Sequence, residues 1–277
     1  MAELPTKNEE EEEDEKPEPQ HAGCVDLSEA DLSGAELLGE NFINAELTEA
    51  VLQGADLTGA QLDRAVLENA DFSPLSGGGL LGGGTSKTVL TGASFFEANL
   101  SKADMSEVEA DQADFRYANL EGVNLSGADI GVTLNEEEKV QNGIRDASFA
   151  HSDLSGADLS DADLQNVNFS GADLSSADLS DSSFTGAVFT GANLQDANIS
   201  NSNLSEANFN EANLQGADLS ESFLSETTVT GANLQDANMT DAVKISGGDF
   251  SYANLMGATW KNGEVCSDSN CLNARLD

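Results

Sequence analysis

The chain has 277 residues, with 51 acidic against 11 basic side chains and a formal net charge of -40. Direct binding to nucleic acid or to an anionic membrane surface uses Lys and Arg at the phosphates, so this charge argues against both ligands. A basic protein partner, multivalent cations or a very salty solvent all remain compatible with it. No apolar run reaches the ~18 residues that span a bilayer, and the N-terminus lacks the pattern of a signal peptide, so we expect a cytoplasmic protein.

The first 22 residues are predicted to form a disordered acidic tail. Residues 1–20 contain nine acidic side chains and three prolines, with almost nothing apolar to bury. A segment of this composition cannot gain enough from burial to offset the entropy of ordering it. The acidic run at 9–15 either keeps the chain soluble or docks a basic partner.

A five-residue period organises most of the remaining chain. An apolar residue stands at every fifth position through 27–72, 90–130 and 149–239, where Ala110 is the weakest member. The residue two before it is usually Ala, and the residue just before it is usually Asp or Asn. One extra residue near 240–244 shifts the phase, and the series then ends at Trp260. The count is 42 pentapeptides.

Two segments interrupt the period and are predicted as loops, at residues 73–89 and 131–148. Such loops are either tolerated insertions at a corner or functional sites. The first loop is rich in glycine, which suggests a phosphate-binding loop. That motif needs Gly-Lys-Ser/Thr in order, whereas Lys87 follows Gly84, Thr85 and Ser86 here, so nucleotide binding is not predicted.

A period of five fits neither an α-helix nor a simple strand. The apolar residue and the small residue two before it point to the same side of a short extended segment, and the other three residues suit a turn. Each pentapeptide is therefore a short strand plus a corner, and stacked coils satisfy the backbone hydrogen bonds. Phenylalanines recur every twenty residues, which predicts four pentapeptides per coil. The predicted interior column contains Phe42, Phe95, Phe115, Phe149, Phe169, Phe189, Phe209 and Phe250.

The tandem A(D/N)Lxx pattern resembles the pentapeptide-repeat family, in segments such as ADLSGAELLG (30–39), GADLSDADLQ (156–165) and GANLQDANIS (191–200). The resemblance implies a right-handed quadrilateral β-helix, with the central and small residues inside. We therefore predict an all-β solenoid over residues 23–262, with about ten coils of four pentapeptides and two loop insertions. A C-terminal tail at 263–277 follows it.

The four sides of the predicted coil differ in charge. We call the side that contains Phe149 face A and the next three sides along the chain faces B, C and D. Within 149–241, the outward positions carry one acid on face A, four on face B, seven on face C and three on face D. Carboxylates stacked ~5 Å apart repel one another, so salt, bound cations or a cationic partner should offset the repulsion. The predicted interaction surface on face C consists of Asp158, Asp161, Asp178, Asp181, Asp218, Glu221 and Asp241.

Two further readings of the polar surface stand beside this one. The acids, together with only seven lysines, are also typical of adaptation to high salt. On face B, amides recur at the stacking interval, and amides can hydrogen-bond along a stack. We predict that they are structural; they are Asn193, Asn213, Asn233 and Asn254 in one column and Gln195, Gln215 and Gln235 in another.

No catalytic, cofactor or metal site is predicted. The two histidines, His21 and His151, have no Cys or Asp companion set, and no Ser/His/Asp or Cys/His arrangement can be assembled. The three cysteines are too few for a disulfide framework. Cys266 and Cys271 can close a small disulfide or supply half of a metal site, although a plain tail is the favoured reading. Cys24 has no assigned role.

Three functions fit these observations. The first is a non-enzymatic, rigid scaffold that binds an unidentified protein through face C or the loops beside face D. The second follows from the resemblance, because some members of that family act on DNA gyrase by presenting an acidic rod in place of duplex DNA. Those members resemble dimers joined by a C-terminal helical module, and the 17 residues after Trp260 lack a helical period. The third is a passive structural element that is stabilised by salt or cations.

Overall fold

The computed structural model describes residues 25–76, 85–130, 147–242, 248–260 and 263–267. The predicted tail at 1–22, most of both predicted loops and residues 268–277 lie outside this range. The described residues contain no helix and therefore no helix that could span a membrane. They form two short strands, β1 (Leu75–Ser76) and β2 (Thr85–Ser86), and a long series of isolated parallel bridges that recurs every five residues.

The bridges define coils of four pentapeptides. Bridge partners lie 20 residues apart within each unbroken block, and 33, 34 and 21 residues apart across the three interruptions. Each interruption therefore adds residues at a corner and removes no pentapeptide from the stack. The handedness stays a prediction from the resemblance. Examples of the four spacings are Asp158 with Asp178, Gln61 with Ser94, Asp114 with Ser148, and Thr228 with Asp249.

The local sequence explains each corner. The residue two after the central one has a positive φ, as at Gly156 (64°) and Asp161 (56°). Glycine adopts this left-handed conformation freely, whereas other residues lose ~1–2 kcal/mol there. The Asp or Asn before the central residue compensates by forming an Asx turn. For example, Asp158 Oδ1 accepts the Ser160 N–H at 3.0 Å.

A column of aromatic rings fills the side of the interior behind face A. Five successive ring pairs from Phe95 to Phe209 have centroids 4.5 to 5.2 Å apart and planes within 7° of parallel. All six rings are at most 1% exposed. At the two ends of the same column, Phe42 is only partly buried, and Phe250 packs against Trp260 with centroids 6.1 Å apart.

Side-chain ladders reinforce the stack on faces B and D. The predicted asparagine ladder is confirmed, since each Nδ2 donates at 3.0 Å to the residue one coil earlier, starting at Asp173. The glutamines do not form one: Gln195 and Gln235 donate sideways to the next residue, an aspartate. On face D, Ser202 occupies a small-residue position. Its buried hydroxyl donates to a carbonyl and accepts an N–H across the coil interface, at 2.8 and 3.1 Å.

The first insertion leaves the stack as a hairpin. Strands β1 and β2 pair in antiparallel fashion, with Leu75 opposite Ser86. The glycine-rich segment was predicted to hold no regular element, and the difference arises because the hairpin packs against an earlier corner. A Cβ on Gly54 would lie 2.7 Å from Leu75 Cβ, so this glycine permits the close approach. Thr88 Oγ1 accepts the Gly54 N–H at 2.8 Å.

The C-terminal segment closes one end of the solenoid. Residues 263–267 turn back, and Val265 forms an antiparallel bridge with Thr259. Trp260 and Cys266 are 3% and 2% exposed, and Cys266 is disulfide-bonded. The favoured reading of a plain tail is therefore wrong at Cys266. The boundary predicted at residue 262 falls inside this folded segment.

We expect Phe189→Ala to lower the free energy of unfolding by about 3–5 kcal/mol, because the ring lies between two stacked neighbours and the cavity left behind cannot collapse. Tyr252→Ala is the matched control, since that ring is 93% exposed; it should change the value by less than ~0.5 kcal/mol. Urea unfolding followed by far-UV circular dichroism measures both. Equal losses for the two variants would contradict the stacking account.

A candidate interaction surface on face C

The seven predicted acids of face C fall into two groups. Asp158, Asp178 and Asp218 precede central residues and are half-buried. The other four stand at corners, with φ between 56° and 61°, and are exposed. We call this second group the corner acids; it consists of Asp161, Asp181, Glu221 and Asp241.

The half-buried group builds turns. Each of these aspartates accepts the backbone N–H of the serine two residues later, at 2.9 to 3.1 Å. The hydroxyls of Ser160 and Ser180 donate to the same oxygens of Asp158 and Asp178 at 2.7 and 2.6 Å. These carboxylates are therefore part of the fold, and their sequence positions alone do not mark them as a binding site.

The corner acids have no comparable structural role. In the part of the chain that the structure describes, Asp181 accepts the amide of Asn201, and no hydrogen bond or ion pair involves the side chains of Asp161, Glu221 or Asp241. Together with Asn201 they occupy one corner in five successive coils. Their spacing along the rod is therefore ~4.8 Å per coil. They form a straight, exposed, acidic edge.

The chain itself offsets much of the predicted repulsion. Asn198 and Asn238 alternate with the half-buried aspartates and donate to Asp178 and Asp218 at 3.0 and 2.9 Å. In that column of the 149–241 block, only Asp158 and Asp178 are consecutive carboxylates. Within the described ranges, no group of three or more His, Cys, Asp or Glu side chains is placed to hold a metal ion.

Face A carries a second polar cluster, which the sequence analysis missed. Tyr117 stacks on His151 with centroids 5.3 Å apart and meets the Phe96 ring edge-on at 5.5 Å. The Arg116 guanidinium lies 5.7 Å from the centre of Phe96 and binds Asp114 through two nitrogens, at 2.6 and 2.8 Å. The missed signal was the stacking interval itself, applied to outward positions.

The largest groove runs beside this cluster and has a volume of about 680 Å³. Its lining includes Asp114 and Arg116, which bind each other, and neutral side chains such as Ser148, Asn168 and Ser170. Ser170 donates to Asn168 at 2.6 Å. Among these described lining residues, no base is paired with a nucleophile, so the groove offers polar contacts rather than a reaction centre.

Asp129 on face D has a raised pKa, chiefly because the atoms packed around its carboxyl desolvate it, although part of the side chain reaches the surface. The stacked carboxylates of Asp163 and Glu109 raise the pKa further, and Lys87 opposes them. A raised pKa in the folded state means that ionisation destabilises the fold. Stability is then lost as the pH rises from the unfolded value of ~3.9 through the folded pKa.

Asp129→Asn should therefore raise the free energy of unfolding at pH 7 by about 0.5 kcal/mol, a value discounted for solvent screening, and should give no gain near pH 3. Denaturant titrations at the two pH values measure it. Asp218→Asn is the control, because Asn198 and Asn238 flank that carboxylate and its loss removes favourable bonds. A gain at pH 3 equal to that at pH 7 would refute the electrostatic cause.

Replacing corner acids by glycine should stabilise the fold. For Asp161→Gly combined with Glu221→Gly we expect a gain of about 0.5–1 kcal/mol, because the left-handed strain and the like-charge repulsion outweigh the entropy of glycine in the unfolded chain. The reverse change, Gly156→Asp, should destabilise by a similar amount. A Cβ on Gly156 would have nothing within 4 Å, so that loss would be conformational. Thermal melts that rank the variants otherwise would contradict this.

Known proteins give a consistent comparison. No curated protein matches this chain. HetL from the cyanobacterium Nostoc sp., a pentapeptide repeat protein involved in regulating heterocyst differentiation, is 26% identical over 88% of this chain and 95% of its own, with a TM-score of 0.37. Rfr23, a pentapeptide repeat protein from the cyanobacterium Cyanothece, is 25% identical over 55% and 90%, with a TM-score of 0.35.

A trypsin-treated form of QnrB1, a plasmid-mediated fluoroquinolone resistance protein, is 19% identical over 60% of this chain and 82% of its own, with a TM-score of 0.38. Two family models match the sequence itself. The model described as "Pentapeptide repeat region" covers residues 142–219. The model described as "Pentapeptide repeats (8 copies)" covers 26–62, 52–73, 86–109, 93–130, 207–243 and 224–259. Since these matches extend over most of the chain, the protein belongs to the pentapeptide repeat family.

Proposed function

We propose that this protein is a non-enzymatic, rigid scaffold that binds a basic protein through the corner acids of face C. The observation that carries the proposal is the contrast between the two groups of acids. Asp158, Asp178 and Asp218 each accept a backbone N–H within a turn, whereas the corner acids are exposed at positions where glycine would be less strained. Strained backbone that does not stabilise the fold is typical of functional sites.

A solenoid suits this role for a physical reason. Each coil is fixed by backbone bonds to its neighbours, so the carboxylates are held at constant intervals before any partner arrives. Binding then orders little of the scaffold and loses little conformational entropy. A line of like charges also accelerates encounter with an oppositely charged partner, and that rate falls as salt screens the charges.

The test is affinity capture at the native salt concentration, with quantitative comparison of variants. Asp161→Gly, Glu221→Gly and Asp241→Gly together should abolish capture of a specific protein while leaving the fold at least as stable. Glu206→Gly with Glu226→Gly is the matched control, because those residues make the same kind of corner on face D. Capture that is equal for both variants, or no capture by the wild type, would sink the proposal.

A narrower candidate is DNA mimicry, in which the basic partner is DNA gyrase or another DNA-binding enzyme. What favours it is the straightness of the acidic edge, since carboxylates in successive coils can stand in for successive phosphates. Duplex DNA carries one charge per ~1.7 Å, so a single edge at ~4.8 Å per coil supplies a lower charge density. An absence of any effect on gyrase supercoiling, with or without a quinolone, rules this version out.

The acidic surface can serve salt adaptation at the same time. If it does, screening of the remaining consecutive carboxylates should raise the melting temperature between ~0.1 M and ~3 M salt. Repeating the melt with Mg²⁺ or Ca²⁺ at low ionic strength distinguishes general screening from cations bound on face C. If melting is the same at all salt concentrations, the passive, salt-stabilised role is contradicted while the scaffold role stands.

A further inference from the structure

The two ends of the solenoid differ, and the N-terminal end is open. In later coils the residue before each central one pairs with the preceding coil. For example, Glu46 donates to Val25 O at 2.9 Å, and Glu46 O accepts the Leu27 N–H at 2.7 Å. In the first coil, residues 25–44, the equivalent backbone N–H and C=O groups have no partner within the described chain, and no further bond of theirs exists. These groups belong to Asp26, Asp31, Glu36 and Asn41.

Apolar surface accompanies these unpaired strand edges. The central residues of the first coil are only partly buried, whereas every described central residue from Leu47 onward is at most 3% exposed. Beside them, Val25, Leu38 and Ile43 are 48%, 56% and 37% exposed. At the other end, Cys266 donates to Ala258 O at 2.8 Å and the chain covers its own edge. An unprotected edge of this kind is a template for an added strand.

Charge decides what fits there. The first coil carries five acids and no base: Asp26, Glu29, Asp31, Glu36 and Glu40. Glu40 occupies a small-residue position that points inward in later coils, yet it is exposed here. Residues 1–20, with nine acids and two lysines, would meet like charge on this end, and so would a second copy of the chain. Both occupants are therefore disfavoured by Coulomb repulsion.

We propose that the open N-terminal end binds a basic segment of a partner protein as an added β-strand. The segment pairs with the free N–H and C=O groups, packs apolar side chains against Leu38 and Ile43, and places Lys or Arg beside Glu36 and Glu40. Backbone bonds supply affinity, and the acids select the sign of the charge. This rests on the proposed scaffold function, and it adds a second contact site and the chemistry of the partner.

The test uses the full-length protein and a fluorescein-labelled octapeptide of alternating lysine and valine, titrated by fluorescence anisotropy. Two control peptides isolate the terms: alternating glutamate and valine keeps the strand propensity, and octalysine keeps the charge. Glu36→Lys with Glu40→Lys should weaken the lysine–valine peptide at least tenfold. Asp181→Lys with Glu221→Lys, the matched change on face C, should weaken it less than twofold.

Amide hydrogen exchange locates the contact. The peptide should slow exchange at Asp31, Glu36 and Asn41 at least tenfold, and octalysine should not. The inference is overturned if these amides are already protected in the free protein, since residues 1–24 or a second copy would then cover the edge. It is also overturned if neither basic peptide binds, or if only the face C variant weakens binding. In that last case the proposed function stands while this site does not exist.

Discussion

The turn at every fifth residue is the constraint on which the rest of this structure depends. It requires a left-handed residue at each corner, and the Asx turn from the preceding Asp or Asn supplies much of the local compensation. Because the corner recurs in phase, each strand lies directly above the strand four pentapeptides earlier. The aromatic column, the asparagine ladder and the serine hydroxyl bonds all follow from that register.

The same constraint divides the acidic surface by role. Side chains just before the central residue point outward beside the turn, where a carboxylate can accept the N–H of that turn. Side chains at the corner point away from every backbone donor. Asp158 and Asp161 are three residues apart and both acidic, yet one is part of a turn and the other faces solvent. A count of acids along the sequence cannot separate them.

A solenoid also has two ends, and each must manage a set of strand edges. Here the C-terminal end is covered by the chain itself, with Cys266 buried and disulfide-bonded. The first coil leaves its edge residues unpaired and its apolar rung partly open. The sides and the ends thus offer different chemistry, with line charges along face C and backbone hydrogen bonding at the N-terminal coil.

The sequence by itself determined the period, the inward residues and the coil of four pentapeptides, because the spacings of the phenylalanines and of the small residues are local and repeated. It also indicated the face with most acids and the asparagine ladder, since both depend only on the stacking interval. The tertiary structure decided what that interval does not encode. It showed that Leu75 packs on Gly54, that Tyr117 stacks on His151 and that residues 263–267 fold back. These contacts join segments whose phase is broken or whose side chains point outward, so no periodic core constrains them in the sequence.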